Sequence, residues 1–257
     1  MKISIITICY NNESDIRPTI ESVVKQNYDN IEYIIVDGAS SDNTLNIIDE
    51  YVENIDKIIS ELDEGMYDAI NKGIKLATGD VVGLIHAGDR LYDEEVIGKI
   101  AEHFSTNDID AMYGHSVLVG QNDKLIRVNK SPGFRKSLFK AGWMPSHQSI
   151  YIKRSIFEQL GYYRLDLGGS ADYEFVLRYF YVNDLNIKRL DDFLVRFAMG
   201  GRSTTNYQKR LWLSQKRHIK AWYLNGLKPP FYFIPFKLGR KIKQFYLAAY
   251  FRLVGIN

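Results

Sequence analysis

The sequence predicts an α/β fold, a mostly parallel central sheet flanked by helices, followed by a basic amphipathic helical tail. Three observations carry this reading. Four short β-branched apolar runs alternate with three segments of helical spacing near the start of the chain, the rhythm of βαβ units whose sheet is covered on both faces. Each run stops at polar residues, at the edge where open α/β sheets hold ligands. Charge also divides the chain: thirteen Lys and Arg but no acid follow Asp192, leaving twenty basic against thirty-one acidic residues before it, a balance of −11.

Residues 3–8 lack helical periodicity and read as a buried strand. Tyr10-Asn11-Asn12 breaks it, and residues 15–26 place Ile16, Ile20, Val23 and Val24 at helical spacing. Residues 31–36 form a second strand, ended by Asp37-Gly38-Ala39-Ser40. Ser41 and Asp42 offer an N-cap to a helix carrying Leu45, Ile48 and Val52. A third strand near 57–60 leads to a helix over 65–76, with Met66, Ala69, Ile70 and Ile74 on one face. Thr78-Gly79-Asp80 turns into a fourth strand, 81–85. A helix over 94–104, a strand over 110–119 and a turn at 121–124 into an antiparallel strand over 125–128 follow. Residues 130–143 are basic and irregular, 155–160 and 171–181 are helical, and 193–198 form a late strand.

The character changes near Gly200-Gly201, which separates a body of residues 1–202 from a tail of residues 203–257. Residues 208–224 mix Leu211, Trp212, Leu213, Ile219, Trp222 and Tyr223 with Lys209, Arg210, Lys216, Arg217 and Lys220. Pro229-Pro230 breaks this helix, and residues 237–254 resume helical spacing with Arg240, Lys241 and Lys243 on the opposite face. Basic amphipathic helices of this kind lie in the interface of anionic membranes. Packing on the body or on a second subunit is the alternative, and nucleic-acid binding is set aside.

With 46% hydrophobic and 25% charged residues, the chain has the composition of an ordinary folded protein. The single cysteine, Cys9, excludes an internal disulfide and reads as a buried, inert thiol. No secretory signal is visible, and no apolar segment is long enough for a transmembrane helix. Thr7, Tyr10 and Asn11, then Asp37, then Asp63, then His86 and Asp89 stand at the ends of the first four strands. Their convergence points to a ligand crevice. Ser40, Ser41 and Asp42 read as caps and turn residues, whereas neither Asp37 nor Asp89 starts a helix at once.

The segments SIITICYNNE, IEYIIVDGASSDNT, DEGMYDAINKGIKLATGDVVGLIHAGD, MPSHQSIYIKRSIF and SADYEFVLRY, in this order and spacing, resemble the family 2 glycosyltransferases of the GT-A fold. The resemblance covers approximately residues 1–202 and is nearest to bacterial enzymes that build O-antigen, capsule and related surface polysaccharides. It implies that Thr7, Tyr10 and Asp37 line a nucleotide pocket, with Asp37 meeting the base, usually uracil. It places Asp68, Asn71 and Lys72 beside the donor. Asp89 matches the last acid of a strand-end motif that holds a divalent metal, Mn or Mg. Relatives often carry two or three acids there, whereas His86-Ala87-Gly88-Asp89 leaves one. One carboxylate suffices for a hard cation that also takes substrate phosphates and water. An imidazole at His86 suits Mn²⁺ better than Mg²⁺; otherwise His86 shapes the pocket.

Asp172 matches the base that takes the acceptor's hydroxyl proton during inversion, although it stands where a helix cap would also stand. His147 falls at an acceptor- or diphosphate-contacting position, or else is a core histidine. The implied reaction moves a hexose or N-acetylhexosamine from a UDP-sugar to a polyprenyl-diphosphate-linked glycan. The enzyme would be cytoplasmic, peripheral on the inner face of the cell membrane through its tail, with homo-oligomerisation left open. A sugar nucleotidyltransferase would need a glycine-rich basic loop where Tyr10-Asn11-Asn12-Glu13 stands. A non-catalytic nucleotide-sugar or glycan-binding protein on the same fold is the other alternative, which the thinned metal motif admits.

Overall fold

A computed structural model describes residues 1–120, 123–198 and 207–236. The first half is built from β1 (Ile3–Cys9), α1 (Ile16–Val24), β2 (Ile31–Asp37), α2 (Thr44–Asp49), β3 (Lys57–Ser60), α3 (Met66–Leu76) and β4 (Val81–Leu84). The four strands pair in parallel in the order β3-β2-β1-β4. Strand residues alternate between two cores, as the pleat requires. Ile3 and Ile5 join Tyr33 and Ile35 on one face, under α1, α2 and a later helix. Ile6 and Ile8 join Ile34 and Val36 on the other, under α3. α3 approaches β1 so closely that a Cβ on Gly73 would stand 2.4 Å from Ile6 Cγ2, so a larger residue at 73 would push the helix off the sheet.

The second half widens the sheet. β5 (Arg90–Leu91), α4 (Val96–Thr106), β6 (Ala111–Val119), β7 (Leu125–Asn129), α5 (Ser137–Lys140), β8 (Ile150–Lys153), α6 (Arg154–Leu160), α7 (Ala171–Val176), β9 (Ile187–Ala198) and α8 (Tyr207–Leu224) follow. β8 joins β4 antiparallel, and β6 joins β8 antiparallel. β9 runs parallel to β6, β5 closes that edge antiparallel to β9, and β7 returns on β6. The sheet is therefore parallel at its ligand-facing centre and mixed beyond β4.

The first four strands and α3 lie where the spacing predicts them. β5, β8 and α5 were not anticipated, because runs of two to four residues carry no readable period. The helix read over 171–181 is α7 followed by a π-helical turn, Leu177–Val182. β9 begins at Ile187, before the predicted 193, because Lys188, Arg189, Asp191 and Asp192 look like loop residues although they sit on the strand. Val52 lies in a short 3₁₀ turn rather than in α2 and is 49% exposed.

The described part of the tail is packed on the body. Ala221, Trp222 and Phe233 lie in the same apolar cluster as α3, α6 and α7, and Trp222 Nε1 donates to Tyr173 Oη at 2.9 Å. The predicted helix over 237–254 and the boundary near 202 lie outside the described residues. No helix among the described residues is long and apolar enough to cross a membrane.

Candidate active site

The loops after β1, β2, β3 and β4 meet at one edge of the sheet. Asn11, with φ of 51°, donates its N–H to Ser40 Oγ at 2.8 Å and accepts the N–H of Ser41 on Oδ1 at 2.9 Å, so the first two loops are laced together. A Cβ on Gly38 would lie 2.6 Å from Asp63 Oδ2 and 3.4 Å from the Tyr10 ring. Glycine at 38 thus lets Tyr10, Asp63 and the β2 loop close around one space. Asp37 lies beneath, without exposed surface. Its carboxylate accepts the N–H of Ser40 at 2.9 Å and the hydroxyl of Ser60 at 2.7 Å, and it also receives the Ser40 hydroxyl. Burial, with Asp37 beside it, raises the Cys9 thiol far above its usual value and leaves it unreactive. Thr7 is fully buried, and its hydroxyl pairs with Tyr33 Oη at 3.0 Å. Its side chain therefore belongs to the core under the crevice and not to the pocket wall the resemblance implies.

On α3 the expected donor residues have separate roles. Asp68 accepts the N–H of Glu64 at 3.2 Å in the first turn. Lys72 straps the entering loop, reaching the Leu62 carbonyl and Glu61 Oε1, both at 2.8 Å, and Asp68 Oδ2 at 3.4 Å. Asn71, expected beside the donor, is 8% exposed and clamps Tyr163 instead. Its Nδ2 donates to the Tyr163 carbonyl and its Oδ1 accepts the Tyr163 N–H, each at 2.9 Å.

The end of β4 carries the densest polar network. Gln148, 3% exposed, donates from Nε2 to Asp89 Oδ2 at 2.5 Å, and its Oε1 accepts the His86 N–H at 3.0 Å. Asp89 Oδ1 accepts the Ala198 N–H at 2.9 Å. Burial pushes the Asp89 carboxyl up to about 6, against the opposing pull of these two bonds. His86 Nε2 and His147 Nε2 face each other at 2.9 Å. His86 Nδ1 is buried with no partner, and a proton there would be an unsatisfied buried donor. A tautomer with its proton on Nε2, directed at His147, would leave only a bare nitrogen at that enclosed position. Burial lowers both imidazoles below their usual range; each neighbour's charge acts further, His147 lowering His86 and Asp172 raising His147.

These contacts decide what a divalent cation would find. Among the described residues no three His, Cys, Asp or Glu side chains converge. Asp89 fits a cation held by one carboxylate, substrate phosphates and water, since its two accepted bonds leave about half of its lone-pair sites open. His86 does not fit. A ligating histidine offers a bare nitrogen to the metal and hands its other N–H to a partner, whereas His86 Nδ1 is enclosed in protein without a partner and Nε2 is taken up by His147.

Across the His86–His147 contact lies a cleft of about 340 Å³, lined by His147 and Asp172. Asp172 sits in the first turn of α7, where its Oδ1 accepts the N–H of Tyr173 at 2.8 Å. It therefore holds the backbone of its own turn, while Ser170 stands at the N-cap, and it also lines the cleft. The Tyr67 hydroxyl lies against it, and burial together with that carboxylate raises the phenol above its usual value. The floor comes from residues that sequence reasoning missed. Ser116 pairs with Asn129, and Leu118 pairs with both Arg127 and Phe197, across β7, β6 and β9. Alternate positions on paired strands share a face, which brings all five to the cleft. That alternation was the available signal, but it shows only once the three strands are known to be neighbours. Gln148 was the other omission; its place after His147 was visible, its reach to Asp89 was not.

The sequence profile of Glycosyl transferase family 2 matches residues 4–163. An uncharacterized glycosyltransferase of Mycobacterium tuberculosis is 32% identical over 182 residues, covering 68% of each chain. Residues 1-349 of S. aureus TarS, solved in complex with UDP-GlcNAc, superpose with a TM-score of 0.69 at 18% identity, over 88% of this chain. This chain spans 65% of that one, less than two thirds of its length. The mannosyltransferase PcManGT from Pyrobaculum calidifontis, solved in complex with GDP-Man and Mn²⁺, gives a TM-score of 0.65 at 17% identity, over 91% of this chain and 68% of that one. At these identities the two structures share the fold.

Proposed function

The chain belongs to glycosyl transferase family 2 and has the GT-A fold, and from that premise we propose an inverting transfer of a hexose or N-acetylhexosamine from a UDP-sugar to a lipid-linked surface glycan. One observation carries the reading. Asp172 and His147 line one cleft, while His147 touches His86 on the loop that bears Asp89. That geometry supports reading Asp172 as the acceptor-side carboxylate and Asp89 as the donor-side one, on either side of a single imidazole contact.

On this reading the nucleotide lies in the crevice framed by Tyr10, Asp63 and the loop over Asp37, with Asp68 and Lys72 at its α3 side. The acceptor enters the cleft on the β6–β7 face. Asp172 takes the proton of the acceptor hydroxyl as its oxygen attacks C1, and the bond from C1 to the nucleoside diphosphate breaks with inversion. The neutral His86–His147 pair shapes the passage between the two halves. Asp89 would hold a divalent cation, Mn²⁺ or Mg²⁺, which would supply charge neutralisation for the departing diphosphate. A polyprenyl diphosphate carrier would present the acceptor at the inner face of a bacterial cell membrane, where the basic tail meets anionic lipid.

Asp172→Asn tests the centre of this proposal. It keeps the size of the side chain and removes the base, so transfer should fall by about a thousandfold while UDP binding persists. Transfer at close to the wild-type rate would show that Asp172 serves only to hold the first turn of α7.

A further inference from the structure

The last turn of α8 and the segment after it expose large apolar side chains. Tyr223 and Leu224 end the helix at 59% and 41% exposure, and Phe231 and Phe236 follow at 96% and 56%. Four exposed large apolar side chains within one short segment mark an interaction surface more than an ordinary solvated one. The same turn faces inward as well: Ala221 and Trp222 are buried, and Trp222 holds Tyr173, the neighbour of Asp172. The outward face is therefore fixed to the helix that carries the candidate base.

Cations lie within this segment and beside its Leu227. Lys228 is exposed between Leu224 and Phe231. Lys136 and Lys140, from the body, line a cleft of about 350 Å³ together with Leu227. Asp184 pairs with Lys136 at 2.5 Å, and the chain beyond Asp192 contains no acid. An anionic bilayer matches both halves of the surface, apolar side chains for the acyl boundary and ammonium groups for the phosphates.

We infer that Tyr223, Leu224, Phe231 and Phe236, with Lys136, Lys140 and Lys228, form a docking surface for an anionic phospholipid bilayer. This deepens the reading of a lipid-linked acceptor and rests on it for its purpose. Docking through α8 keeps the Asp172 cleft beside the membrane that carries that acceptor.

The test is co-sedimentation of the full chain with vesicles of phosphatidylcholine alone and of phosphatidylcholine mixed with phosphatidylglycerol. The wild type should sediment with the anionic vesicles and not with the neutral ones. Phe231→Ser with Phe236→Ser, and separately Lys140→Glu with Lys228→Glu, should each weaken that binding by about tenfold. Melting temperature and UDP affinity should stay at wild-type values, which separates lost docking from lost folding. Equal sedimentation with both vesicle types, binding unchanged in the variants, or a dimer that these substitutions dissolve in the absence of vesicle binding would overturn the assignment. Because no turnover is scored, failure here leaves the transfer chemistry standing, and failure of transfer leaves the docking surface standing.

Discussion

Gln148 sets the state of the strand-end acid, although it is 59 residues away in sequence. One buried amide serves two neighbours, donating to Asp89 and accepting the backbone N–H of His86. Burial raises the Asp89 carboxyl and the Gln148 bond opposes that rise. Gln148→Leu removes the opposing bond, so burial should raise the carboxyl further. A carboxylate is ionised only above its pKa. Any step needing charged Asp89 is therefore lost as pH falls through about 6 in the wild type, and at a higher pH in the variant. The acid limb of Mn²⁺-supported UDP binding should move upward, and kcat should fall more in mildly acidic buffer than in alkaline buffer. Superimposable pH profiles would leave Gln148 no part in tuning Asp89. The sequence shows Asp89, His86 and His147 as polar residues at strand ends or in motifs, and so they were legible. Their hydrogen-bond partners are set by tertiary contact, which is also why Thr7 and Asn71 match the family pattern and yet turn to Tyr33 and Tyr163.

At the scale of elements, α3 is where pattern and packing separate most clearly. Its register was readable from Ala69, Ile70 and Ile74, and the structure starts the helix at Met66. What its polar side chains touch was not readable, because Tyr163 belongs to a loop with no period of its own. Asn71 fastens α3 to that loop, and Tyr163 then stacks on Phe175 of α7, centroids 4.0 Å apart, and on Tyr67 at 5.5 Å. Tyr67 in turn lies against Asp172. Asn71→Ala leaves the Tyr163 N–H and carbonyl without their partner, a loss of about 3 kcal/mol. The expected result is a lower melting temperature and reduced transfer, with UDP affinity retained, because the disturbance travels toward Asp172. A loss of UDP affinity at an unchanged melting temperature would instead return Asn71 to the donor, where the family resemblance put it. β8 teaches the same lesson in reverse. Four buried residues are too few to read as a strand, yet they join the parallel half of the sheet to the mixed half.

Over the whole molecule, function and stability occupy opposite edges of the sheet. The carboxyl ends of β1–β4 leave acids and the His86 imidazole at the crevice, while at the other edge one buried acid binds the first four strands together. Glu32 on β2 is 2% exposed. It accepts Ser4 Oγ of β1 at 2.6 Å, Lys57 Nζ of β3 at 2.9 Å, and the N–H and hydroxyl of Thr78, both at 2.7 Å, in the turn before β4. Burial alone would raise this carboxyl, but the hydrogen bonds from Ser4, Thr78 and Lys57 outweigh it and hold the group well below its ordinary value of 4.5. A carboxylate more acidic in the folded than in the unfolded chain stabilises the fold at pH above the unfolded value, and that contribution is lost as pH falls below it. The urea midpoint of the wild type should therefore drop on acidification below about 4.5. Glu32→Gln keeps the shape but removes the charge opposite Lys57 and Lys2 and cannot accept all four bonds. It should lose about 3 kcal/mol at neutral pH and show a flatter dependence on acid than the wild type. Parallel acid profiles for the two proteins would place the pH-sensitive group elsewhere, with Asp89 excluded by sign. Its raised carboxyl is neutralised rather than strained as pH falls, so it favours the folded chain in acid.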